Sequence, residues 1–258
     1  TEGRTLVSSN VVARLPGSGR ALAAEHVVLT AHLDGLGIGR PQDGDAIHNG
    51  TLDNAAGVAS LIDIASRYRH SRARPLRSIL FVALTAEERG LLGSSYFARR
   101  PSVPAGSIVA NLNYDMALPL FPLTSVTVLG AEESSLGDDA RAVATLLNLP
   151  LAPDPFPNRN SFTRSDQYSF VEQGIPALAF KFGFAPDTPE AALERQWRAT
   201  RYHMPSDDPA QPVSNEDSIR LNDFIATLAL RVANAAARPR WNDDSFFRRF
   251  ARPEERTP

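Results

Sequence analysis

The stretch Ser78-Ile-Leu-Phe-Val-Ala-Leu-Thr85 constrains this chain more than any other. Successive side chains of a strand point to opposite faces, so a strand that is apolar throughout needs cover on both sides. That pattern predicts a central parallel strand with helices above and below it. Val27–Ala31 is a second such run, and it leads into His32 and Asp34. Ile108–Tyr114, Ser125–Leu129 and Pro176–Phe180 read as further strands, and Val11-Val12-Ala13 as a short edge strand. Between them, Ala55–Tyr68, Gly90–Ala98, Leu136–Leu149 and Asp166–Gln173 read as helices. Ser214–Ala236 reads as a long helix, with Ser214 as N-cap and Asp217 three residues on. The alternation predicts a three-layer α/β/α sandwich around a mixed, mainly parallel sheet.

Three segments read as irregular: the loop Gly35–Asn54, the Pro-rich residues 150–165 and the long loop 183–213. Residues 238–258 read as a frayed tail or a peripheral helix around Phe246-Phe247. The whole of 1–258 is expected to be one catalytic domain with its core at about 27–236. A chain that opens on Thr1 is expected to be a processed or excised piece of a longer protein.

Composition narrows the function classes. With 27 basic and 29 acidic residues the formal charge is −2, so no basic footprint points to nucleic acid. No apolar stretch approaches the roughly 18 residues of a membrane-spanning helix. The absence of cysteine removes thiolate metal sites, thiol nucleophiles and disulfides. Lys181 is the single lysine, and the sequence suggests no role for it. There is no G-x-S-x-G elbow, P-loop or G-x-G-x-x-G after a strand.

What remains is a set of acids and histidines at strand ends. His32 and Asp34 follow the Val27–Ala31 strand. Asp53 stands at the entrance to a helix. Glu87 and Glu88 follow the Ser78–Thr85 strand, Asp115 follows the next strand, and His203 lies in the loop before the last helix. Open α/β sheets place their chemistry at the carboxyl ends of the strands. Adjacent carboxylates after a buried strand are costly unless a cation balances them. An oxygen- and nitrogen-rich donor set suits zinc. The remaining polar candidates read as solvated: His48, Asp43 and Asp45 in a surface loop, His26 and His70 at element ends, and the arginine run Arg67–Arg77 at a helix end.

The set His32-x-Asp34, Gly50-Thr-Leu-Asp53-Asn-Ala-Ala-Gly57, Thr85-Ala-Glu87-Glu88-x-Gly90, Asn113-Tyr-Asp115-Met and Tyr202-His203 resembles the zinc aminopeptidases of family M28. The resemblance implies a phosphorylase/hydrolase-like zinc exopeptidase fold with two zinc ions. It implies that Asp53 bridges the metals, that His32 and Asp115 complete one site, and that Glu88 and His203 complete the other. Glu87 is then the general base and acid, Asp34 orients the His32 ring, and Tyr202 helps hold the developing oxyanion. The implied reaction is removal of N-terminal residues from peptides with a free amine, through a metal-activated water. The Asp53–Asn54 peptide is expected to be cis, as it looks in relatives of known fold. The resemblance also suggests an exported protein, secreted or periplasmic. Alternatives on the same scaffold are a glutaminyl cyclase, a carboxypeptidase-type relative and a non-catalytic receptor-like module. The sequence leaves oligomeric state open. Gln167 departs from the pattern, since many relatives carry Ser-Asp-His where this chain has Ser165-Asp166-Gln167, and this puts the pocket shape in question.

Overall fold

The computed structural model of the chain describes residues 7–104 and 106–252. Among the described residues nine strands form: β1 Val11–Leu15, β2 His26–His32, β3 Gly37–Gln42, β4 Asp45–His48, β5 Ser78–Leu84, β6 Ile108–Asn113, β7 Val126–Leu129, β8 Leu151–Ala152 and β9 Ala177–Phe182. The same residues form six α-helices: α1 Ala56–His70, α2 Leu92–Arg99, α3 Leu136–Leu146, α4 Gln167–Val171, α5 Pro189–Thr200 and α6 Asn215–Asn234.

Seven strands make one sheet in the order β1-β5-β2-β6-β9-β7-β8. The joints β5–β2, β2–β6, β6–β9 and β7–β8 are parallel, while β1–β5 and β9–β7 are antiparallel. The sheet is therefore mixed and mainly parallel, with helices on both faces. β5 is not its central strand: it stands next to the edge strand β1, and the middle position belongs to β6. A strand one place from the edge still has neighbours on both sides and helices on both faces, so the apolar pattern cannot distinguish the two positions.

Alternation along β2 shows how the layers are held. Val27, Leu29 and Ala31 join the core built on α1, α3 and α6, with Ile64, Phe224 and Leu228. Val28 points the other way, to Leu80, Val82, Phe97 of α2 and Phe170 of α4. Each fully buried aliphatic side chain contributes roughly 1.5–3 kcal/mol from area removed from water. α6 starts where its cap indicates: Ser214 Oγ accepts the Asp217 N–H at 3.2 Å and donates to the Asp217 carboxylate at 2.6 Å.

The segments read as loops contain structure. Within 35–54, β3 and β4 form a hairpin whose residues are largely exposed, so no alternation marks it. Its turn is Asp43-Gly44, both residues at positive φ, a pairing that favours a two-residue hairpin. Within 183–213, α5 starts at Pro189 with Thr188 Oγ1 accepting from the Ala191 N–H. Cap followed by proline is a helix-start signal, obscured here by the flanking prolines and aspartates. Residues 150–165 contain β8 and two short 3₁₀ turns. The segment after α6 is docked rather than frayed as far as Ala251, with Trp241, Phe247 and Ala251 packed against Val171 and Ala177. Residues 253–258 lie outside the described residues, as do residues 1–6.

Candidate metal centre

Because β2, β5 and β6 are parallel, their carboxyl ends meet at one edge. His32 is level with Leu84, and Thr30 with Asn113, so the residues after β5 and β6 reach the edge beside His32. There His32 Nε2 lies 3.2 Å from Asp53 Oδ1 and 3.6 Å from Asp115 Oδ1. The other Asp53 oxygen, Oδ2, lies 3.2 Å from His203 Nε2, which is also 3.2 Å from Glu88 Oε2. Two groups result, His32–Asp53–Asp115 and Asp53–Glu88–His203, and within each the donor atoms lie inside 4.8 Å of one another. Asp53 belongs to both.

The turn Thr51–Ala55 delivers Asp53. Gly50 enters it at φ 63°, and the Asp53–Asn54 bond is cis. Asp207, buried in the segment after α5, accepts the N–H groups of Leu52 at 3.0 Å and Asp53 at 3.1 Å. Asn54 donates to the Tyr114 carbonyl at 2.9 Å and accepts from the Gly57 N–H. A Cβ at Gly57 would stand 2.4 Å from the Asn54 side chain and 2.7 Å from the Tyr114 carbonyl, so the close approach of α1 to this turn requires glycine.

Asp34 organises the opposite wall. Its carbonyl accepts from His32 Nδ1 at 3.1 Å, which aims Nε2 at the carboxylates. Its carboxylate accepts the N–H of Glu87 at 2.9 Å and of Glu88 at 3.2 Å. With Ala86 at φ 56°, the chain turns sharply after β5, and the two glutamates diverge. Glu87 lines the large cleft with Asp53, Asp115, Tyr202 and His203, while Glu88 lines a smaller recess beside His48 and Asp207.

The electrostatics call for positive charge. His32 Nε2 and Asp115 Oδ1 are buried and lack hydrogen-bond partners. Burial disfavours the His32 imidazolium, yet the Asp115 and Asp53 carboxylates outweigh it and raise the ring's pKa to about 12. Burial, with Asp115 adding, pushes Glu87 up to about 9. Burial and then Asp53 raise Glu88. Burial resists ionisation of Asp115, but the Lys181 ammonium and His32 hold its carboxyl well below the usual range. Against burial, His203 and His32 keep Asp53 low. These oxygen and nitrogen donors, crowded and short of cations, fit a pair of divalent metal ions.

Several supports were not legible beforehand. Lys181 donates to the carbonyls of Asp115 and, at 3.1 Å, Met116, steadying the turn after β6. Ser165 donates to Asp115 Oδ2 at 2.5 Å. Gln167 is buried and accepts from Asn113 at 2.8 Å, so it braces the segment behind Asp115. His48 is half-buried, not solvated; its Nδ1 donates to the His203 carbonyl at 3.0 Å. His26 is buried against Ser107, and Arg77, at the end of the arginine run, is fully buried. Tyr202 stacks on His203 with ring centroids 3.8 Å apart, and burial, followed by Asp53, raises its hydroxyl to about 12. It therefore remains a donor at neutral pH.

A sequence profile for peptidase family M28 matches residues 10–229. Among solved structures, a zinc aminopeptidase from Bacillus subtilis superposes with a TM-score of 0.65 at 22% identity, over 86% of this chain and 49% of that one. The LapA aminopeptidase of Legionella pneumophila gives 0.65 at 22%, over 88% and 56%. A glutaminyl cyclase from Porphyromonas gingivalis gives 0.57 at 18%, over 86% and 75%. The chain thus spans about half the length of the two aminopeptidases, and at these identities the likeness is one of fold. On a profile match over most of its length, carried by this sheet and this edge, the chain belongs to peptidase family M28.

Proposed function

We propose that this chain is a zinc-dependent aminopeptidase domain, with residues 1–258 forming one catalytic unit. The observation that carries the reading is the pair of donor groups sharing Asp53, with Glu87 facing the same cleft. His32, Asp53 and Asp115 would hold one zinc; Asp53, Glu88 and His203 would hold the other. Two zinc ions there would supply Lewis acidity toward a water and a substrate carbonyl.

The remaining work falls to the chain. Glu87 accepts the proton of the attacking water and passes it to the departing amine. Its amide, held by Asp34, fixes where that proton is taken. The Tyr202 hydroxyl, a donor on the cleft wall, hydrogen-bonds the oxygen on which negative charge develops. The acidic residues of the centre favour a free α-amine at the substrate's N-terminus. Among the described residues no helix is long and apolar enough to cross a membrane. As part of the same reading, the protein is proposed to be exported, which fractionation of producing cells would test.

The decisive experiment joins elemental analysis to a substrate pair. Protein purified without chelator should carry about two zinc equivalents. Aminoacyl amides should be cleaved and their N-acetyl forms left intact. One tightly bound equivalent at full activity, or equal rates on both substrates, would sink the reading.

A further inference from the structure

The cleft in front of the centre carries charge of two kinds. Besides Asp53, Glu87 and Asp115, it is lined by Arg159, Arg164, Lys181 and Arg198. Arg159 and Arg198 share one carboxylate oxygen, Glu194 Oε1, at 2.5 and 2.6 Å. Lys181 hydrogen-bonds neutral carbonyls, while its charge acts on the nearby Asp115 carboxylate. Arg164 is exposed and has no ion-pair partner among the described residues. Arg159, Lys181 and Arg198 also line an adjoining pocket with Phe121, Phe156 and Phe184, where Asp154 supplies a second carboxylate, one of its oxygens accepting the Phe156 N–H at 2.9 Å. Four cations thus face three carboxyl groups outside the metal-binding set, Glu87, Asp154 and Glu194, and the Lys181 charge also faces Asp115. The Arg159 guanidinium lies 3.9 Å from the Phe156 ring centroid, and the Arg198 guanidinium 5.1 Å from that of Tyr202, so these charges are fixed in place.

Resting on the aminopeptidase reading, we propose that this cleft selects substrates that carry a carboxylate, received by Arg164 together with Arg159 and Lys181. Aromatic walls meeting fixed cations suit a short apolar stem ending in an anion. Arginine binds carboxylates through paired charge-assisted hydrogen bonds. Two sources share this chemistry: an acidic side chain on the N-terminal residue, or the C-terminal carboxylate of a short peptide.

Calorimetric titration of the zinc-loaded Glu87→Gln protein tests it without turnover. L-Glutamate against L-glutamine probes the side chain; alanyl-alanine against alanyl-alaninamide probes the terminus. The anionic member of at least one pair should bind about 10-fold more tightly. Arg164→Gln should bring that ratio toward one, and Arg159→Gln should narrow it as a second check. Equal affinities within both pairs, or a ratio undiminished in both variants, would overturn the proposal. If the wild-type protein cleaves no aminoacyl amide, the aminopeptidase reading fails while these binding ratios still decide the present one.

Discussion

The strand His26–His32 carries a histidine at each end, and its two ends solve opposite electrostatic problems. At the amino end, Glu25 accepts from Arg77 Nε at 2.6 Å and from Arg238 Nε at 2.8 Å. Arg77 also donates to the carbonyls of Val232, at 3.1 Å, and Ala235. His26 is neutral: burial, with Arg14 adding, lowers its pKa, and Ser107 supplies a partner. At the carboxyl end, Asp53, Glu87, Glu88 and Asp115 crowd two imidazoles, so acidic groups outnumber the cations that face them. One end balances its charge with its own side chains, although His26 Nε2 and Arg77 Nη2 there lack hydrogen-bond partners; the other balances only with a cation. Balanced buried charge is architecture, while buried charge out of balance marks a site.

The sharpest way to break this comparison is at the centre. Glu87→Gln should lower kcat by about 10²–10⁴-fold with zinc content unchanged, because an amide cannot accept the proton. Glu88→Gln should instead lose zinc from one site, read by elemental analysis. The reverse pattern would exchange the two roles. Removing metal should have the next largest effect. A ligand at 100 times its Kd stabilises the native state by about 2.7 kcal/mol, so chelation should lower Tm and zinc should restore it.

The amino end should respond differently. Arg77→Met should cost about 1–3 kcal/mol in denaturant unfolding, less than a fully orphaned buried pair, because Glu25 keeps Arg238. Its zinc-induced gain in Tm should match that of wild type, since distant sites add. A reduced gain would mean that the two ends are coupled. The smallest effect is acid-dependent. Burial resists ionisation of Glu25, but hydrogen bonds from Arg238 and Arg77 outweigh it and lower its folded pKa. Its contribution is therefore complete above the unfolded value of about 4.3 and is lost as pH falls through the folded value. The stability gap between wild type and Glu25→Gln should close on acidification; a gap that widens would reverse the sign.

By itself the sequence determined what local pattern can encode. Apolar runs marked β2, β5 and β6, Ser214 marked the start of α6, and the acids and histidines at strand ends named the donor types. Each of those signals is carried by residues a few positions apart. Tertiary structure decided which charges would be cancelled. Arg77 looked like one more solvated arginine until Glu25, 52 residues away, met it. Asp207 reaches the Leu52 amide across 155 residues, and Lys181 reaches the Asp115 carbonyl across 66. The helix α5, hidden among prolines, sets Glu194 and Arg198 against the cleft. No periodicity records such pairings: the field at a buried group is the sum over whatever the fold brings within a few ångströms, and chain separation does not enter that sum.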